Sequence, residues 1–332
     1  MTDTRFDVVG LGNAIVDVFA SVEDSFLEQH DIRKNGMTLI DEERADALVD
    51  AAPKGPQLSG GSGANTIVGV SSFGGRAGYI GKVAKDTLGD VFRKDMNDSG
   101  IPFDTPALED GPATARCIVF VTPDGARSMN TFLGASVLFS ASDVNEQMVK
   151  DAAILYLEGY LFDQEDAKAA FVHASEIAQA AGRKVALTLS DGFCVERHRA
   201  SFLHLIKNHV DLVFANEDEA LSLYQTDNFD EAVERMQADA GLAAITRSEK
   251  GSVVISPEGA VAVSAEPVDK VVDTTGAGDQ YAAGFLFGVS RGLPLETCAK
   301  LGHIAAAEVI SHYGPRPEVS LAELTRKAGI NI

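Results

Sequence analysis

The sequence predicts an α/β protein: a doubly wound, mostly parallel sheet flanked by helices, with a small β-rich lid. Three observations carry this. The opening apolar run, Phe6–Leu11 (FDVVGL), reads as a buried strand. After residue 140, short apolar runs alternate regularly with helical patterns, the signature of βα units on a parallel sheet. Between them, residues 113–122 (ATARCIVFVT) and 128–133 (SMNTFL) flank Pro123-Asp124-Gly125, a hairpin that has no place in such a sheet.

Taken in order, residues 14–22 (AIVDVFASV) form a second strand. A helical pattern over 41–51 follows, then another after the glycines at 60–63. Strand Tyr79–Ile80 leads to a helix over 85–98, and the hairpin comes next. The regular half places strands at 153–157, 184–189, 211–215 and 242–246, and helices at 165–181, 196–208, 217–224 and 229–239. Residues 252–256 and 260–264 make a second hairpin, and helices over 277–291 and 295–312 close the chain. The division expected is an α/β core of 1–16, 41–110 and 134–332, with a lid of 17–40 and 111–133.

Composition excludes several classes. With 332 residues, 45% hydrophobic and 23% charged, the chain is neither disordered nor a disulfide-stapled miniprotein. Its net charge of −21 argues against nucleic acid and against an anionic membrane surface as partners. Cys117, Cys194 and Cys298 lie far apart, as reduced thiols of a cytoplasmic protein would. The polar start MTDTRFD lacks a signal pattern, and no apolar run is long enough to span a bilayer. A monomer or homodimer acting on small molecules is expected.

Two glycine-rich stretches fail as nucleotide loops. Gly10-Leu11-Gly12 would need glycine at 15 for a dinucleotide fingerprint, and Ile15 stands there. Gly75–Lys82 carries Arg76 where a P-loop needs its first glycine, and Val83 where it needs Ser or Thr.

Val271–Gly284 (VVDTTGAGDQYAAG) succeeds. Gly276, Ala277 and Gly278 open a long helix, so backbone N–H groups and the positive end of the helix dipole converge on one spot. That is an anion hole. Asp279, in the first turn, can reach the same spot and take the proton of an attacking hydroxyl.

DTTGAGD resembles the C-terminal signature of the ribokinase-like, PfkB-type carbohydrate and nucleoside kinases. GNAIVD (12–17) resembles their N-terminal substrate strand, GGSGAN (60–65) their first glycine signature, IGKVAKDTLGD (80–90) their G-x-x-x-x-D-x-x-G segment, and NEDE (216–219) their N-x-x-E motif. The five occur in the family's order across nearly the whole chain.

The resemblance implies a ribokinase-like fold, ATP and Mg²⁺, and a set of roles. Asn13, Asp17, Gly60, Gly61, Asn65 and Glu158 would hold a ribose-type ring. Asn216 and Glu219 would organise water around Mg²⁺; the same pair also spells a capping box. Thr246 and Gly251 match the nucleotide loop T-x-G-x-x-G, with Ser248 in place of its middle glycine. Thr275 and Gly278 would meet phosphate, as would Arg127 from the lid hairpin. Asp273 and Thr275 would form a K⁺ site near Gly314.

Gly302-His303-Ile304-Ala305-Ala306 is closer to the G-H-x-A-A of adenosine kinases than to the N-A-A-A-A of sugar kinases, which sets His303 near the adenine of ATP. Phe193, in TLSDGFC, falls where adenosine kinases carry an aromatic on the substrate side. Thr275 and Glu158 point the other way, toward ribokinases. The leading expectation is phosphorylation of the 5′-hydroxyl of adenosine in purine salvage. A ribokinase- or fructokinase-like sugar kinase comes second. A non-catalytic ligand-binding regulator comes third, and Asp279 argues against it.

Overall fold

The computed structural model describes residues 4–332. Its larger sheet contains β1 (Phe6–Leu11), β5 (Ala77–Ile80), β8 (Ala152–Glu158), β9 (Lys184–Thr188), β10 (Leu212–Asn216), β11 (Leu242–Thr246), β12 (Ser252–Ser256) and β13 (Gly259–Val263). Their spatial order is β13-β12-β11-β10-β9-β8-β1-β5. Every neighbouring pair from β11 to β5 runs parallel, and β12 and β13 add an antiparallel hairpin at one edge.

The parallel strands read as continuous apolar runs because both faces are covered. Val9, Leu11, Leu155, Leu157, Val213 and Ala215 point into one buried cluster. Their strand neighbours Val8, Ile154, Tyr156, Leu212 and Phe214 point into the other. The second cluster lies under helices Ser62–Ser72 and Ala277–Ser290, whose Ile67, Ala283 and Phe285 are fully buried.

A second sheet holds β2 (Ile15–Ser21), β3 (Met37–Leu39), β4 (Gln57–Gly60), β6 (Ala115–Val121) and β7 (Arg127–Phe132), in the order β3-β7-β6-β2-β4. This is the expected lid, and it draws on more chain than 17–40 and 111–133. Gln57–Gly60 pairs antiparallel with β2 as its edge strand. It has a single apolar side chain, Leu58, 47% exposed, so no hydrophobic alternation announces it. Helix Glu42–Ala51 packs Ala45 and Leu48 against Ala20, Ile118 and Phe120, giving the lid an apolar cluster of its own.

The remaining expected strands and helices stand within a few residues of their predicted bounds. The helix expected at 196 starts at Gly192, because Asp191 caps it by accepting the Cys194 N–H at 2.6 Å; the helix kinks at His198. Two short helices, Asp24–Gln29 and Leu321–Lys327, are too brief to show a period. Among the described residues, no helix is long and apolar enough to cross a membrane.

Candidate active site

In an open parallel sheet, ligands bind beyond the carboxyl ends of the strands, where the strand order reverses. Here that point lies between β1 and β8, since β1 has β5 on one side and β8 on the other. A cleft of about 890 Å³ opens there. Asn13, Glu158, Thr188, Asn216 and Thr246, each at or just past a strand end, line its floor. The lid supplies the facing wall with Ile15, Asp17, Met37, Leu39, Cys117 and Met129. On β2 the pleat buries Val16 and Val18 and turns Asp17 to the cleft, the alternation its neighbours imply.

Asp279 sits in the first turn of Ala277–Ser290. Its Oδ1 accepts the Ser62 hydroxyl at 2.6 Å and its Oδ2 the Asn65 Nδ2 at 3.3 Å. Desolvation raises its pKa to about 6, against the pull of those two hydrogen bonds and of the Arg316 charge. A carboxylate poised there is ionised at neutral pH yet basic enough to accept a hydroxyl proton. Gly276 caps the helix in the left-handed region, with φ of 80°. The Ala277 N–H turns back onto the Thr274 carbonyl at 3.2 Å, which leaves the Gly278 and Asp279 amides of the first turn as the ones that could receive an anion. A Cβ on Gly278 would meet nothing within 4 Å: that side of the residue faces open cleft.

Glu158 ties the switch point together. Its Oε1 accepts from Asn13 Nδ2 at 2.8 Å and from the Asn13 N–H at 3.3 Å, and its Oε2 accepts the Gly63 N–H at 2.7 Å. Burial raises its pKa to about 7, against those bonds. A side chain on Gly63 would strike the carboxylate, and one on Gly60 would strike that of Asp17. Gly61 has a φ of 92°, so the glycines of GGSGAN serve both close approach and backbone shape. Desolvation also raises Asp17 to about 6, with Arg316 and Arg127 pulling it down.

NEDE forms the capping box in full. Asn216 Oδ1 accepts the Glu219 N–H at 2.8 Å, and Glu219 accepts the Asn216 N–H at 3.0 Å and its Nδ2 at 2.7 Å. Both side chains also line the cleft. Burial, then the nearby Asp191 and Asp218, raise Glu219 to about 7. A crowd of carboxylates short of positive charge fits a hydrated divalent cation held through water, and Glu219 and Asn216 would hold it. Thr246 lines the same end. Ser248 takes a φ of 50°, which explains why a glycine would suit that position, and Gly251, with φ of 88°, leaves no room for a side chain beside Val263.

Three expected residues sit differently. Arg127 donates to Asp273 Oδ2 at 2.6 Å, which pairs the guanidinium expected to meet phosphate with that carboxylate. Asp273 also accepts the Thr275 N–H at 3.0 Å, the Thr275 hydroxyl at 2.7 Å and the Gly314 N–H at 3.1 Å. With both oxygens filled and a guanidinium beside it, this donor set does not fit K⁺. His303 is buried, sharing a hydrogen bond with Ser252 at 2.9 Å while Tyr281 donates to the same hydroxyl at 2.8 Å. Burial lowers its pKa, and the ring ties helix Leu295–Val309 to β12 behind the cleft wall. Phe193 is 74% exposed and lines the cleft.

Ser62 and Arg316 escaped the sequence reading. Ser62 hides between counted glycines, and its role needs a partner 217 residues away. Arg316 lies in GPRP, which reads as a turn.

Residues 33–321 match the pfkB family carbohydrate kinase profile. The adenosine kinase of Saccharomyces cerevisiae is 26% identical over 93% of this chain and 96% of its own length. The crystal structure of adenosine kinase from Sinorhizobium meliloti superposes with a TM-score of 0.90 at 51% identity, covering 98% of this chain and 99% of that one. That of a protein named probable sugar kinase from Rhizobium etli superposes with 0.91 at 49% identity, again over 98% and 99%. With a profile match over most of the chain and the fold in agreement, the chain belongs to the pfkB family of carbohydrate kinases, phosphotransferases whose acceptor is a hydroxyl group.

Proposed function

We propose that this kinase transfers the γ-phosphoryl group of ATP to the 5′-hydroxyl of a purine nucleoside, adenosine giving AMP. The carrying observation is Phe193, a 74% exposed aromatic at the cleft. Exposing such a ring costs free energy unless a ligand covers it, and a purine face does so by stacking. Met37 and Leu39, both about half exposed on the lid wall, extend the apolar surface. Asn13, Asp17 and Asn65 offer the hydrogen-bonding groups a ribose needs. Asp279 takes the proton from the 5′-hydroxyl, and the Gly278 and Asp279 amides receive the phosphoryl oxygens. Bound Mg²⁺ supplies positive charge to the phosphates, with Asn216 and Glu219 orienting its waters.

A free sugar as acceptor is the second reading. It is favoured by the likeness to the Rhizobium etli protein and by Glu158, buried beside Asn13 where a sugar ring would lie. kcat/KM for adenosine, inosine, ribose and fructose on one preparation separates the two. Adenosine is expected to lead, and Phe193→Ala to weaken it while leaving any ribose turnover unchanged. A preference for ribose or fructose would sink the nucleoside reading and leave the kinase standing.

A further inference from the structure

Arg316 lies outside the motifs that carry the family likeness, and its side chain is only 18% exposed. Its Nε donates to Asn65 Oδ1 at 3.1 Å and its Nη1 to Asp95 Oδ2 at 3.1 Å. An amide has a donor end and an acceptor end. With Oδ1 of Asn65 turned to the guanidinium, Nδ2 is left facing Asp279, where it donates to Oδ2. The flipped amide would set N–H against guanidinium and oxygen against carboxylate, two repulsive contacts. The clamp is itself anchored. Asp95 accepts from the Ser59 N–H at 2.9 Å and from the Ser59 hydroxyl, on lid strand β4. Gln280, next to Asp279, donates to the carbonyls of Asn65 at 3.0 Å and Pro315 at 2.9 Å.

We propose that Arg316 is a positioning residue for Asp279: its guanidinium fixes the sense of the Asn65 amide, and with it the carboxylate, while its charge offsets the carboxylates of Asp279 and Asp17. The proposal rests on the reading of Asp279 as the base.

The groups facing Asp279 include Ser62 and Asn65 from their helix, Asp17 from β2, Glu158 and Tyr156 from β8, Tyr160 just past β8 and Tyr79 from β5. Arg316 is the cation that acts on both Asp279 and Asp17; Arg127 reaches Asp17 from the lid. Removing Arg316 leaves neighbouring carboxylates less compensated, so both keep their protons to higher pH.

Arg316→Met, Arg316→Lys, Asn65→Ala, Asp279→Asn and the Arg316→Met/Asn65→Ala pair are compared by kcat, KM, the pH profile of kcat/KM, substrate Kd and circular dichroism. Arg316→Met is expected to lower kcat by about tenfold to a hundredfold, the scale of a misplaced catalytic group. Substrate Kd should change little, and the acidic limb should rise by about one pH unit. Arg316→Lys keeps the charge and loses the fork, so kcat falls while the limb stays near the wild-type position. The pair should lose no more kcat than Asn65→Ala alone, because both changes act on one contact.

A wild-type kcat and pH limb in Arg316→Met, or additive losses in the pair, would overturn the proposal. So would a defect confined to folding or Kd. If Arg316→Met does not fold, a wild-type kcat in Arg316→Lys overturns it. Turnover in Asp279→Asn refutes the base itself; an inactive Asp279→Asn beside wild-type Arg316 variants refutes only the role given to Arg316.

Discussion

The Ser62 hydroxyl donates to Asp279 at 2.6 Å, joining the first turns of two helices that start 215 residues apart in sequence numbering, at Ser62 and Ala277. The glycine signature near residue 60 and the GAGD signature are thus two halves of one site. The first carries groups that would hold the acceptor, the second those that would deprotonate it.

Asp279→Asn keeps the shape of the side chain and removes its basicity. Turnover is expected to fall by about 10²–10⁴-fold, with ATP binding and fold retained. Steady-state kinetics with a nucleotide-binding assay checks this, and near-wild-type turnover would remove Asp279 from its role.

The same residue ties activity to stability. Its pKa stands at about 6 in the folded chain, above the ordinary 3.8. Between those values the folded state holds the extra proton, so stability falls as pH rises through the interval and the cost is fully present above it. Asp279→Asn is therefore expected to melt higher than wild type at pH 8, by a few degrees, at about 2–4 °C per kcal/mol for chains somewhat shorter than this one. The gap should narrow toward pH 4. Thermal melts across pH test this, and a gap that widens on acidification would contradict the assigned direction.

Glu219→Gln removes a carboxylate charge while keeping an acceptor for the helix cap. The Mg²⁺ concentration needed for half-maximal rate is expected to rise severalfold, with acceptor affinity unchanged. An unaltered Mg²⁺ titration would reduce NEDE to a helix start.

Gly276 and Gly278 flank one alanine and should fail in opposite ways. A Cβ on Gly276 would crowd the Pro315 backbone at 2.6 Å, in a residue with φ of 80°, so Gly276→Ala is expected to cost about 1–3 kcal/mol of stability. Gly278→Ala has open space and should fold normally, but its methyl group projects into the phosphate position. It is expected to lose turnover without loss of Tm. Melting and kinetics on the two variants separate these effects, and equal Tm losses would argue against the distinction.

Much of this was legible in sequence because the signals are local. GAGD marked a glycine-opened helix start with Asp279 in its first turn, and Val16 and Val18 gave the facing of Asp17. What escaped depends on distance. Arg127 and Asp273 are 146 residues apart, and their pairing turned an expected phosphate ligand and an expected cation site into one salt bridge. His303 sits within a matching string, yet its ring is consumed by Ser252. Gln57–Gly60 is a strand because β2 offers it an edge, and nothing in QLSG itself says so.

The lid's private apolar cluster bears on how such enzymes diversify. Residues that hold the lid together point away from the cleft, while Asp17, Cys117 and Met129, on the alternate pleat, line it. Either set can change without disturbing the other, and neither includes helix Ala277–Ser290. Substitutions on the cleft-facing pleat can therefore reshape part of the cleft wall without touching the lid's own core or the helix that carries Asp279.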